Sequence, residues 1–480
     1  MGVGVCVIAP PHSKEENMKL IFDINDRPGP GQLIIFAVQQ MLAVLAATIA
    51  MPLIIGNGLS PAAAMLGAGT GTLVYILFTK RKSPVFLGSS FAFIGSMSAA
   101  FAGAATASLG MLGTIIGAAA AGLVYIIIAL VVKRAGTAWV DKLMPPVVIG
   151  PTVSIIGLSL SGSAIHDLST GDVLRETAEG ELLPAASPYA AIFCGLVTLA
   201  VTMLCSTKGK KMVRLLPFVI GIGAGYLCAA VLTLIGSAAN ADALLLIDFS
   251  VFKDYMFRGG LSANTFFSVP DIVFVKALGG AKDFTASYLA TVLVAYVPVA
   301  LVCFAEHIAD HKNLSTVICR DLLKDPGLPR TLMGDGAGSA VGALLGGCPN
   351  TTYGESVGCV AITGNASVIT IIAAAAGCIL ISFVTPFVAF ISSIPGCVMG
   401  GVCIALYGFI AVSGFKMLKD ADLDDNRNLF TASVILVSGI GGLTLRFGSV
   451  TVTSIAAALI LGILTNLLLS PKKESTGSNK

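Results

Sequence analysis

Charge is what this chain has least of. Only 11% of its 480 residues are Asp, Glu, Lys or Arg, where a soluble protein carries about a quarter. That scarcity, with 55% apolar residues and a mean hydropathy of +0.90, excludes an ordinary soluble domain and indicates a polytopic membrane protein. Tryptophan occurs once, at Trp139, and histidine four times. The eleven cysteines form no CxxC and lie mostly inside apolar runs, so they read as small apolar fillers rather than a disulfide framework. The glycine-rich GAGTG at 67–71 has no Walker A sequence around it, which argues against nucleotide binding. The opening stretch, MGVGVCVIAPPHSKEEN, lacks the basic start of a signal peptide, and Cys6 breaks the myristoylation pattern. Residues 1–31 are therefore set apart as a cytoplasmic leader.

What the chain has in abundance is apolar runs. Fourteen can be read off, at 32–56, 61–79, 85–103, 107–133, 144–163, 188–206, 214–236, 286–310, 331–348, 350–364, 367–392, 395–414, 428–446 and 449–469, most near the roughly 20 residues a membrane-spanning helix needs. With the N-terminus placed in the cytoplasm, 23 of the 29 basic residues fall on cytoplasmic loops and tails and 6 outside. This bias obeys the positive-inside rule and places both termini in the cytoplasm. The two long outer loops, 166–184 and 237–283, reveal no second soluble domain.

Two spans are irregular. PVFLGSSFAFIGSMSAAFAG follows Ser83, and NTTYGESVGCVAITG follows Pro349. Proline, glycine and β-prone residues disfavour helix in the first half of each, so each should be a short strand followed by a half-helix. Irregular backbone at membrane depth is tolerated only where protein buries it or a cavity hydrates it. The broken spans are third and tenth of fourteen, the third of each group of seven. An odd number of spans inverts the second group, so the expected fold is an all-α membrane protein built as a 7+7 inverted repeat, with its site at the repeat interface.

Acids inside spans cost about 3 kcal/mol or more on insertion scales. Glu306 and Asp310 share one face of the eighth span, four residues apart, and Glu355 sits where the tenth span turns from extended to helical. Asp335 reads as an interfacial group near Arg330, and His311 as the start of a cytoplasmic loop with Lys312. His307 and His311 have the i, i+4 spacing of helical zinc ligands. The zincin pattern requires Glu directly after the first His, but Ile308 stands there. A membrane-embedded metal-dependent hydrolase is thus an alternative from another class.

PVFLGSSFAFI (84–94), EHIADH (306–311), KDPGLPR (324–330), PNTTYGESVGCVAITG (349–364), VMGGVCIALYG (398–408) and QQMLAVLAATIAMP (39–52) together resemble the nucleobase/ascorbate transporters, in particular their bacterial uracil permease branch. The resemblance covers about residues 32–470. It implies a core domain (32–135 and 286–393, spans 1–4 and 8–11) moving against a gate domain (136–236 and 394–470, spans 5–7 and 12–14). Residues 237–285 would form an extracytoplasmic loop and 471–480 a cytoplasmic tail. It further implies proton-coupled uptake of uracil across a bacterial cytoplasmic membrane. Lipid surrounds such a protein, and no enzyme activity, cofactor, metal or nucleic-acid partner is implied. Independently of the resemblance, the small-residue spans allow close packing and with it a homodimer through the gate helices. Residue by residue, Glu306 and Glu355 match the substrate-binding carboxylates. Phe91 and Gly354 match positions whose backbone N–H groups face the base, and Ala47, Tyr353 and Tyr407 match the pocket lining. Asp310, with His307 beside it, matches the proton-coupling position. Ser356 departs from the pattern, which has Asn there. A xanthine or urate symporter on the same scaffold is the alternative within this class.

Overall fold

A computed structural model describes residues 20–136, 138–176, 182–210, 212–257, 260–419, 421–447 and 450–470. The polypeptide is mostly helical. The elements that position the site are α1 (Pro30–Ile55), α2 (Pro61–Phe78), β1 (Leu87–Ser89), α3 (Ile94–Ala102), α4 (Ala107–Ala135), α5 (Pro146–Ser159), α6 (Pro188–Lys208), α7 (Pro217–Ala239), α8 (Ala286–Ile318), α9 (Leu328–Gly346), β2 (Asn350–Thr352), α10 (Gly354–Thr363), α11 (Val368–Ile381), α12 (Gly396–Leu418), α13 (Asn426–Ile440) and α14 (Ser454–Leu468). Proline opens α1, α2, α5, α6 and α7, where its missing N–H costs no hydrogen bond. Among the described residues, eight helices are long and apolar enough to cross a bilayer: α1, α2, α4, α5 with its continuation to Leu168, α6, α7, α8 and α12.

Two sets of helices pack among themselves. In one, α9 lies between α2 and α4, with α8 against α4 and α11 against α1 and α2. In the other, α12 packs on α5 and α6, α6 on α7, and α13 on α5 and α14. Burial differs accordingly. The most apolar window of α2 is 72% buried, while those of α6 and α7 are 28% buried. The latter two turn Phe193, Leu196, Leu227 and Leu234 outward, as helices facing lipid do.

Both irregular spans have the predicted strand-then-helix form. β1 and β2 pair antiparallel, with Leu87 opposite Thr352, Gly88 opposite Thr351 and Ser89 opposite Asn350. The ladder extends at both ends, through Ser90 N–H to the Pro349 carbonyl at 2.9 Å and Tyr353 N–H to the Phe86 carbonyl at 3.2 Å. The outer edge of β1 is closed by a side chain, since Leu87 N–H donates to Thr72 Oγ1 at 3.0 Å. Both strands are fully buried, and these bonds satisfy backbone groups that lipid could not.

Two sequence expectations are corrected. His311 does not start a loop: α8 continues to Ile318, and His311 is buried within it. Asp335 is not interfacial: it is wholly buried, because α9 starts at Leu328 and carries it two turns inward towards α8. Residues 20–29 also take part in the packing. Ile21 and Phe22 donate to the Gly364 carbonyl at 2.7 and 3.2 Å, Ala366 N–H donates to the Phe22 carbonyl at 2.9 Å, and Asp23 pairs with Arg320. This strap holds the far end of α10. The leader residues before 20 lie outside the described residues.

The approach of α2 to α9 requires glycine. A Cβ on Gly67 would lie 2.5 Å from the carbonyl oxygen of Gly342, and neither backbone can yield without moving a helix. Gly67→Val should therefore destabilise the protein by about 1–3 kcal/mol through overpacking. Thermal unfolding in detergent checks this, with Gly162→Ala as control, since a Cβ at Gly162 meets nothing within 4 Å. A Gly67→Val protein melting with the control would contradict the packing argument.

Candidate functional site

The broken spans end at a cavity of about 660 Å³. Its wall on one side comes from α8, β2, the start of α10 and the turn leading into α3; on the other it comes from α5 and α12. Glu306, Asp310 and Glu355 all line it, as do Phe91, Tyr353 and Gly354. Glu306 and Asp310 face it together because they stand one turn apart on α8. Glu355 is the second residue of α10, beside backbone N–H groups that have no partner within their own helix. The turn at Phe91–Phe93 aims the start of α3 at the same space. Two half-helices thus bring positive dipole ends to a space ringed by carboxylates.

Asp310, Tyr353 and Phe91 are held from behind. Asp310 Oδ2 accepts from Thr352 Oγ1 at 2.9 Å. The Tyr353 hydroxyl donates to the Ser89 carbonyl at 2.7 Å. Its ring packs against Gly88, where a Cβ would come within 2.2 Å of the ring. Phe91 meets Tyr407 edge to face, with centroids 6.1 Å apart. Tyr407 is buried and packs behind Phe91, outside the set of residues lining the cavity. Ala47 is likewise buried, in the apolar cluster around Tyr353 and Val357. His307 turns away from the cavity: its Nδ1 lies 2.8 Å from Asp335 Oδ2 and its Nε2 2.9 Å from Thr331 Oγ1.

Several residues of the site escaped the sequence reading. Thr351 lines the cavity from β2, the neighbouring Thr352 donates to Asp310, and Asn313, Ser413 and Lys416 also line the cavity. Gln40 was the hardest to find: it sits in α1, 316 residues from its partner Ser356.

That partnership accounts for Ser356. Its Oγ accepts from Phe86 N–H at 2.9 Å and from the Gln40 amide, all three groups being buried. The short serine suffices because Gln40 reaches in from α1, and together they tie α10, the approach to β1 and α1 into one unit. Ser356→Ala leaves two buried donors without an acceptor, which should cost about 1–3 kcal/mol, measured as thermal or denaturant unfolding in detergent. Adding Gln40→Leu, which removes one orphaned donor, should recover part of the loss. An unchanged Ser356→Ala stability would contradict the clamp.

Comparison with known proteins fits this geometry. Residues 31–447 match the model of the Permease family to which xanthine and uracil permeases belong. The chain is 40% identical over 463 residues to a uracil permease of Bacillus caldolyticus, covering 95% of this chain and 96% of that protein. It is 37% identical over 460 residues to the uracil permease of Bacillus subtilis, covering 95% and 97%. The fold is similar to that of the transmembrane domain of a cyanobacterial bicarbonate transporter, BicA, with a TM-score of 0.59 at 15% identity over 92% of this chain and 96% of that one. It also resembles the murine Solute Carrier 26 family member A9 anion transporter, with a TM-score of 0.62 at 11% identity over 93% and 69%. Apolar helices, broken spans and a full-length match together make this chain a multi-pass membrane protein of the nucleobase/ascorbate transporter family.

Proposed function

We propose that this protein takes up uracil together with a proton across the bacterial cytoplasmic membrane. The observation that carries the reading is the convergence of Glu306 and Glu355, from two different elements, on one cavity at the starts of two half-helices. Uracil is a small flat ring with N–H donors and carbonyl acceptors in one plane. The carboxylates accept its N–H groups in charge-assisted bonds. The backbone N–H groups near Phe91 and Gly354 receive its carbonyl oxygens, while Phe91 and Tyr353 cover its faces. Asp310 stands beside the carboxylates, placed to take a proton from the cavity.

In this reading the chain crosses the membrane fourteen times as an inverted repeat, both termini lie in the cytoplasm, and the helix set holding the broken spans moves against the set containing α5 and α12. Asn313 and Lys416 line the cavity, and charge bias assigns their ends of the helices to the cytoplasm, so in this reading the cavity is reached from the inside. Transport by alternating access follows, with no chemical conversion of the substrate.

Radiolabelled uracil uptake into proteoliposomes under an imposed proton gradient tests the proposal. Accumulation that requires the gradient and is competed by uracil rather than xanthine or urate is expected; accumulation competed by the purines instead would select the purine alternative. Glu306→Gln should weaken uracil binding in detergent by about 10- to 100-fold, the range of one charge-assisted hydrogen bond, and an unchanged affinity would remove Glu306 from the site. Asp310→Asn should flatten the dependence of uptake on external pH; a protein retaining the full dependence would show that Asp310 is not the point of proton entry.

A further inference from the structure

Behind the cavity wall lies a cluster that substrate binding does not use. His307 and Asp335 are both wholly buried and joined at 2.8 Å. Asp335 Oδ2 also accepts from Thr351 Oγ1 at 3.3 Å, and Thr351 lines the cavity. Asp335 Oδ1 is buried with no hydrogen-bond partner. On the other side of the imidazole, Thr331 Oγ1 lies 2.9 Å from His307 Nε2 and 3.1 Å from the Leu328 carbonyl. A hydroxyl has one proton to donate and lone pairs to accept, so Thr331 can serve either partner.

That arrangement accommodates two protonation states. In the first, His307 is neutral: Nδ1–H donates to the Asp335 carboxylate, and Nε2 accepts from the Thr331 hydroxyl. In the second, the pair has gained one proton. His307 donates from both nitrogens, to Asp335 Oδ2 and to Thr331 Oγ1, and the Thr331 hydroxyl turns to the Leu328 carbonyl. The pair passes from a net charge of −1 to zero, and the incoming proton can also rest on Asp335 Oδ1 without disturbing the Nδ1–H bond. Each state keeps both ring nitrogens paired, which few buried ionisable groups achieve on changing charge.

The ionisable groups facing the pair are Glu306, Asp310 and Cys303 on its own helix, Tyr75 on α2 and Tyr125 on α4. His311 stacks on His307 with centroids 4.0 Å apart. Its Nδ1 is held by the His307 carbonyl at 2.8 Å and its Nε2 by the Tyr75 hydroxyl at 2.7 Å. A charge on His311 would oppose one on His307, so the gained proton belongs to the pair and not to both rings.

We propose that His307 and Asp335, with Thr331 as a turning hydroxyl and Thr351 as the contact to the cavity, form the store that holds the transported proton. The inference rests on the proton-coupled reading above and names positioning groups one layer behind the substrate. Asp335 and His307 do not touch the substrate in this assignment, so substrate exchange and proton-driven accumulation should separate.

The test uses the full-length protein in proteoliposomes. Asp335→Asn should keep uracil exchange, which moves no net proton, within about 3-fold of wild type, and lose at least about nine-tenths of the accumulation driven by an inward proton gradient. Wild-type accumulation by Asp335→Asn would overturn the proposal, as would loss of exchange and accumulation together. Thr331→Val guards against a folding defect. It removes the partner of the charged imidazole, whose bond is the stronger one, so the midpoint of uptake against external pH should move to the acid side by about 0.5–1 unit. An unmoved midpoint would overturn the proposal. A wild-type protein that accumulates no uracil under a gradient would instead refute the uracil reading itself, independently of where the proton rests.

Discussion

The organisation of this protein depends on one constraint: extended backbone at membrane depth must find all its hydrogen bonds within the protein. β1 and β2 meet this by pairing with each other across 263 residues of sequence. Their ends are tied by Ser90 and Tyr353 and their flank by Thr72. Because the strands pair, the half-helices that follow them start at the same depth, and the cavity forms at their starts. Everything placed there, from Glu355 on α10 to Phe91 before α3, inherits its position from that short ladder.

Close packing supports the ladder. Asn350 of β2 donates to the Gly67 carbonyl at 3.1 Å, threading a side chain between α2 and α9 where only glycine leaves room. The Gln40–Ser356–Phe86 clamp fixes α10 on α1, and the strap at 21–24 fixes its other end. α10 is therefore held along its length by parts of one helix set. The facing wall, α5 and α12, belongs to the other set. A cavity bounded by one wall tied together by hydrogen bonds and another wall packed within a different helix set is suited to opening by relative movement, the basis of the transport cycle proposed above.

Much of this was legible in the sequence, for physical reasons that differ by residue. Hydropathy placed most helices within a few residues but ended α8 at 310, eight residues short of Ile318, because its last turns are polar; Pro84 and Pro349 with their β-prone followers marked the strands. An acid in an apolar run is costly enough to be conspicuous, and so Glu306, Asp310 and Glu355 stood out and are found around one cavity. Partners across the fold were hidden. Gln40 and Ser356 are ordinary polar residues, and only the folded chain brings them together. Asp335 was misread because Arg330 nearby offered a bland explanation, while its actual partner His307 lies on another helix. Tyr407 and Ala47, assigned by resemblance, pack directly behind the lining, Tyr407 against Phe91 and Ala47 in the cluster around Tyr353.

The most direct measurement is a structure of the protein with uracil bound. The account predicts the ring between Glu306 and Glu355, its edge towards the starts of α3 and α10, with Phe91 and Tyr353 over its faces. A ring bound elsewhere, or held in the cavity without contact to either carboxylate, would contradict it.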